Sequence, residues 1–193
     1  MSLRAMLRVL AAVVVIAAAA VVWQSLPVRT QIFAPFDVRG TSGETVTGRS
    51  IAATVHGARL APDVMSGTGG RSGDAIAAAG TWVVVDATVE STRDSVKPEA
   101  ELLVEGNTYL PSERFFLENL TASDAVVDPG IPERGVLVFD VATQFLDSEA
   151  APPFVLRVWA GDGRLDSRLV IAVDKQDVSH QKIITLTKPE VGG

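Results

Sequence analysis

The feature that most constrains this chain is an unbroken apolar run near its N-terminus. Every residue from Val9 to Trp23 is Val, Leu, Ile, Ala or Trp, and Arg8 stands immediately before the run. A helix needs about 20 mostly apolar residues to cross the hydrocarbon core of a bilayer. We therefore predict a transmembrane helix over residues 9–26, which anchors the protein in the lipid bilayer as a signal anchor.

The charges beside the run predict its orientation. Arg4 and Arg8 lie in residues 1–8, and basic residues at this position favour the cytoplasmic side of a membrane. Trp23 then falls where an aromatic side chain of the outer interface belongs. These residues predict a single-pass protein of the bacterial cytoplasmic (inner) membrane, with its N-terminus inside and its C-terminal domain extracytoplasmic. A lipoprotein is excluded because the chain has no cysteine.

A cleaved secretory signal is the alternative, because it has the same basic start and an apolar region of similar length. The alanines of residues 17–20 continue directly into Val21 and Val22. A small-x-small cleavage site followed by a plausible mature start is therefore missing. Retention of the helix is favoured, and both interpretations export the domain.

The anchor is rich in alanine, and small residues let helices approach each other closely in lipid. Helical spacing places several small and branched residues on one stripe. The anchor and its possible helix-docking surface are thus predicted at Ala12, Val15, Ile16, Ala19 and Trp23. The alternative, in which the alanines reflect only a compositional bias of the genome, stays open.

After the anchor the pattern changes to alternating apolar and polar residues. Residues 27–47 are predicted to be a linker and a first edge strand at 32–38, residues 48–175 a β-domain, and residues 176–193 a C-terminal extension or final strand. Seven or eight short strands are separated by turn residues, with almost no helical period. This pattern predicts an all-β fold, an antiparallel β-sandwich or barrel.

Four expectations concern individual segments of the domain. Residues 82–89 should form a central strand that is covered on both sides at one end, because their valines are consecutive. Gly57 should mark a β-bulge. Residues 66–79 should be a surface loop, with a possible helical turn at 74–79. The large side chains of the best strands should lie in the core: Trp82, Val84, Phe139, Val141 and Trp159.

The strand from Gly80 to Ser91 has the sequence GTWVVVDATVES, which resembles the exported bacterial domains known as DUF4352. The later segments Gly106–Tyr109 and Gly135–Val141 are also similar to that family, the latter following Pro129-Gly130. The resemblance covers roughly residues 48–173 and its motifs are structural. It implies an immunoglobulin-like sandwich in an exported or membrane-tethered protein, of actinobacterial type, and it implies no particular activity.

The sequence contains no recognisable catalytic constellation. Its two histidines, His56 and His180, and its lack of cysteine cannot supply the four ligands of a structural zinc site. Neither a Gly-x-Ser-x-Gly elbow nor a phosphate loop is present. We therefore predict that the protein is not an enzyme and has no catalytic residue, metal or cofactor.

Charge and location together define the expected partner. Setting aside Arg4 and Arg8 leaves 15 of the 17 basic residues against 23 acidic ones, so the exported part carries about −8. Such a charge disfavours binding to nucleic acid. The leading hypothesis is a binding or accessory module that contacts a membrane or envelope protein partner. The alternatives are a secreted, cleaved binding protein or antigen and, with less support, an exported hydrolase with an unfamiliar site.

Overall fold

One long helix, α1 (Leu3–Ser25), forms the first of two units in the chain, Met1–Ala34. The computed structural model describes residues 3–25, 33–67, 74–122, 124–146 and 154–192. The segment Met6–Gln24 of α1 has a mean hydropathy of 2.5, and none of it is buried. It is long and apolar enough to cross a membrane, as the apolar run predicts, and neither glycine nor proline interrupts it.

The second unit, Pro35–Gly193, consists of two β-sheets. The strands of the described residues are β1 (Phe36–Thr41), β2 (Thr45–Thr47), β3 (Ile51–Ser66), β4 (Ala75–Ser91), β5 (Pro98–Val104), β6 (Asn107–Tyr109), β7 (Glu133–Val141), β8 (Phe154–Ala160), β9 (Ser167–Val173), β10 (Val178–His180), β11 (Ile183–Leu186) and β12 (Glu190–Val191). The first sheet has the strand order β1-β9-β8-β5-β6, and the second has the order β10-β3-β4-β7-β12, with β2 and β11 also paired to β3.

The predicted fold class, a β-sandwich preceded by one apolar helix, is confirmed. Most strand pairs are antiparallel, but β1 runs parallel to β9, and β10 and β11 both run parallel to β3. The hairpin partners β3 and β4 lie in the same sheet.

The main core lies between the two sheets. Strand β8 shows why, because its buried and partly exposed residues alternate strictly along the strand, and β5 has the same pattern. The inward side chains of both sheets form one buried cluster, which includes Val55, Val85, Leu102, Phe139, Leu156 and Ile171.

A second buried cluster lies on the opposite face of β4 and β7. Trp82 and Val84 of β4 point into it, whereas Val83 and Val85 point into the main core. The second cluster is completed by side chains from outside these two strands: Phe115, Ile184 and Leu186. Strand β4 is thus covered on both faces, which confirms the prediction made for residues 82–89.

Some local predictions are corrected by the structure. The prediction of a possible helical turn at 74–79 is wrong, because β4 begins at Ala75 and pairs with β3 there. Residues 68–73 of the expected loop lie outside the described residues. In the described residues the first strand begins at Phe36, directly after Pro35, which has no amide to donate; Ile32 lies outside the described residues. The bulge at Gly57 is confirmed by a register shift between Val55 and Gly57.

The C-terminal residues belong to the second sheet. Strands β10 and β11 extend it beside β3, and β12 pairs with β7 at its other edge. The sequence predicts either an extension or a final strand for residues 176–193. The structure shows three short strands there, and all three belong to the sandwich.

Candidate binding groove

The outward face of the first sheet carries one tryptophan. Because Phe154, Leu156 and Val158 of β8 point into the core, the intervening positions point outward. Trp159 occupies one of these positions, is only partly buried, and belongs to neither buried cluster of the described residues. The expectation that Trp159 lies in the core is therefore corrected. The period-2 alternation along residues 154–160 is the signal that would have placed it outside.

The neighbours of Trp159 fix its surroundings. Glu99 of β5 is its direct cross-strand partner, and the Glu99 carboxylate lies 2.8 Å from Nζ of Lys97. On the other side Gly163 has a φ of +68°, and a Cβ there would lie 2.9 Å from Cδ1 of Trp159. A glycine is thus required both by the turn and by its close approach to the indole.

The opposite wall comes from the segment between β6 and β7. Phe115 anchors this segment in the second cluster, where its ring meets Trp82 edge-to-face at 5.2 Å between centroids. Leu120 anchors it again in the main core. Between these two anchors Phe116 is 54% exposed, and Leu110 at the start of the segment is 71% exposed. The chain therefore holds two large apolar side chains in contact with solvent.

These elements enclose a groove of about 510 Å³. Small-molecule sites are typically concave and about 300–1,000 Å³ in volume, with a few polar groups among apolar ones. The lining combines both kinds of side chain: Lys97, Glu99, Ala100, Leu110, Pro111, Ser112, Glu113, Phe116, Asn119, Thr121, Ala122 and Trp159. We refer to this set as the Trp159 groove.

Asn119 is the buried polar member of the Trp159 groove, at 4% exposure. Its Nδ2 donates to the carbonyl of Ser112 at 3.3 Å, which fixes the orientation of the amide. Its Oδ1 is buried and has no hydrogen-bond partner among the described residues. Leaving a buried acceptor unpaired costs about 1–3 kcal/mol. Because Oδ1 is enclosed by protein atoms, this acceptor is not exposed to the groove.

The titratable groups with shifted pKa values lie on strands of the second sheet. Burial lowers the pKa of His56, Arg134 lowers it to a smaller extent, and Asp86 partly opposes both effects. Nε2 of His56 lies 2.8 Å from Oγ1 of Thr88. Burial and the nearby Asp128 raise the pKa of Glu133. Among the described residues no group of three or more His, Asp or Glu side chains is arranged to hold a metal ion.

The residues predicted as the docking surface all lie on α1. Ala12, Val15, Ile16, Ala19 and Trp23 are exposed, and the continuous helix places the first four along one face. Their role in docking stays a prediction. The Trp159 groove was not predicted from the sequence, because its residues come from separate segments at 97–100, 110–122 and 159.

The chain matches no protein-family model and no curated protein. It is similar to the crystal structure of an uncharacterised β-sandwich protein from Clostridium difficile 630, with 15% sequence identity and a TM-score of 0.47. That match covers 72% of this chain and 96% of the other. The function has to be inferred from the helix and the groove of this chain itself.

Proposed function

We propose that this protein is a membrane-anchored extracytoplasmic binding module that contacts a partner in the cell envelope and does no catalysis. The observation that carries the proposal is the apolar helix α1. Ten of its large apolar side chains are exposed. At roughly 1.5–3 kcal/mol for each such side chain removed from water, exposure of the helix is unfavourable by about 15–30 kcal/mol. A bilayer removes that cost.

The basic residues of the N-terminus support the orientation. Arg4 and Arg8 precede the core of α1, and its other end carries Trp23 and Gln24. Positive residues are retained on the cytoplasmic side, so the sandwich is on the extracytoplasmic side of the inner membrane. The DUF4352-like strand motifs agree with an exported domain. The alternative in which α1 is cleaved and the sandwich is secreted leads to the same compartment.

The surface of the sandwich supports binding over catalysis. The Trp159 groove is concave, and its lining combines the aromatic side chains of Trp159 and Phe116 with polar ones. Its titratable residues are Lys97, Glu99 and Glu113, and the first two form an ion pair. That pairing makes Lys97 and Glu99 mutual partners rather than an isolated acid and base. Such a lining suits recognition of a ligand more than its conversion.

Topology can be tested by labelling, because the chain has no cysteine of its own. In spheroplasts containing Glu44→Cys, a membrane-impermeant maleimide should label the protein without lysis, since Glu44 is exposed on the sandwich. In the matched Ser2→Cys variant, labelling should require lysis. The reverse pattern would contradict the orientation. A mature chain beginning near Ser25 in the medium would instead support the secreted alternative.

The docking surface of α1 gives a second prediction. Ala12→Leu with Ala19→Leu makes the helix more hydrophobic, so the protein should insert at least as well as the wild type. The same change blocks close approach of another helix. We expect recovery of a co-purifying membrane partner to fall roughly tenfold, equivalent to about 1.4 kcal/mol.

The matched control for docking is Ala11→Leu with Ala18→Leu, which adds the same bulk to the adjacent stripe. This control should retain its partner, as measured by quantitative mass spectrometry after mild solubilisation. Equal recovery from both double variants and the wild type would leave α1 as a passive tether.

A further inference from the structure

The Trp159 groove has an indole among polar side chains. Gly163 lies against one edge of the indole, where a Cβ would come within 2.9 Å, so the turn restricts the ring. Phe116, which is 54% exposed, lines the same groove. A large rigid aromatic surface that is fixed in advance loses little conformational entropy when a ligand stacks on it.

The polar half of the lining is rich in groups that pair with hydroxyls. The side chains of Lys97, Glu99, Ser112, Glu113, Asn119 and Thr121 provide both donors and acceptors. A ligand that carries many hydroxyl donors satisfies such a lining, whereas a proline-rich peptide brings few N–H donors because proline has none.

The charge of the groove restricts the ligand further. Lys97 is paired with Glu99 at 2.8 Å, which leaves Glu113 as an additional carboxylate. The whole chain carries a formal charge of −6. A polyanionic ligand is therefore repelled, and a neutral one is not.

From these observations we propose that the Trp159 groove binds a short segment of a neutral glycan. One sugar ring stacks its C–H face on Trp159, and its hydroxyls bond with Glu99 and Lys97. The inference deepens the proposed function, since it rests on an extracytoplasmic binding module and names the class of its ligand.

The test uses the full-length chain in lipid nanodiscs, because detergents with sugar headgroups would compete. Chitotriose, cellotriose and maltotriose are titrated by isothermal calorimetry. At least one of them should bind with a Kd of about 1 mM or tighter. Trp159→Ala should weaken that binding about tenfold or more, and Glu99→Gln should weaken it measurably. Trp159→Phe, which keeps an aromatic platform, should retain most of it.

Phe36→Ala is the matched control, because Phe36 is an exposed aromatic residue on β1 and is not part of the groove lining. Its affinity should equal that of the wild type. Each variant is checked for folding by its melting temperature and by near-ultraviolet circular dichroism of buried Trp82.

Three results would overturn the glycan proposal. The first is the absence of any heat of binding with the three trisaccharides at about 10 mM. The second is an equal affinity of Trp159→Ala and the wild type for the sugar. The third is binding of a proline-rich decapeptide that depends on Trp159 while no sugar binds. The last result would identify a peptide groove. None of them depends on the cysteine labelling, so failure of the glycan proposal is distinguishable from failure of the membrane topology.

Discussion

Trp82→Ala should lower the free energy of unfolding of the sandwich by about 3–5 kcal/mol, the usual cost of removing a large aromatic side chain from a core. Trp82 is 1% exposed, and its ring packs edge-to-face on Phe115. Its Nε1 also donates to the carbonyl of Ile76 at 2.8 Å. The substitution therefore leaves a cavity, an unpaired carbonyl and a loosened anchor for the segment that forms one wall of the Trp159 groove.

Chemical denaturation of the unit Pro35–Gly193, followed by far-ultraviolet circular dichroism, measures this loss. The melting temperature should fall by about 6–20 °C, given roughly 2–4 °C per kcal/mol for a domain of this size. Trp159→Ala is the internal control, because Trp159 lies on the outward face of β8. Its side chain is partly buried, so the substitution should cost about 1–2 kcal/mol, less than Trp82→Ala. Similar losses from both substitutions would contradict the separation of Trp82 from Trp159.

The second large effect concerns the C-terminal strand β11. Ile184 and Leu186 are fully buried there and cover the cluster around Trp82. Truncating either one to alanine should cost about 2–5 kcal/mol. The double variant should lose about 4–8 kcal/mol, with departures from additivity because the two side chains share neighbours. Since domains are stable by only about 5–15 kcal/mol, a large fraction of the double variant should be unfolded at 37 °C.

The same strand provides the control. Ile183 and Thr185 alternate with the buried pair and are exposed. Ile183→Ala with Thr185→Ala should therefore cost less than about 1 kcal/mol. Thermal denaturation of both double variants decides the point. Equal stability of the two would mean that the C-terminal segment contributes nothing to the sandwich, against its place beside β3.

Local features of the fold followed from the sequence because they depend on near neighbours in the chain. The apolar run predicts α1, since apolar side chains on every face of a helix require a nonaqueous environment. The Gly57 bulge depends on a single glycine and its flanking strands. The consecutive valines from Val83 to Val85 indicate a strand buried on both faces. Successive side chains point to opposite faces of a sheet, so neighbouring residues must both be apolar when both faces are buried.

Tertiary structure alone decided which surfaces meet. Alternation along β8 separates two faces, but only the packing of the second sheet against one of them shows that Trp159 lies outside the main core. The parallel pairing of β10 and β11 with β3 joins residues more than 100 positions apart, and no local pattern specifies such a partner. The Trp159 groove depends on the same kind of contact. Its wall exists because Phe115 and Leu120 are buried in two different clusters, and the side chains held between them acquire their position only when both clusters have formed.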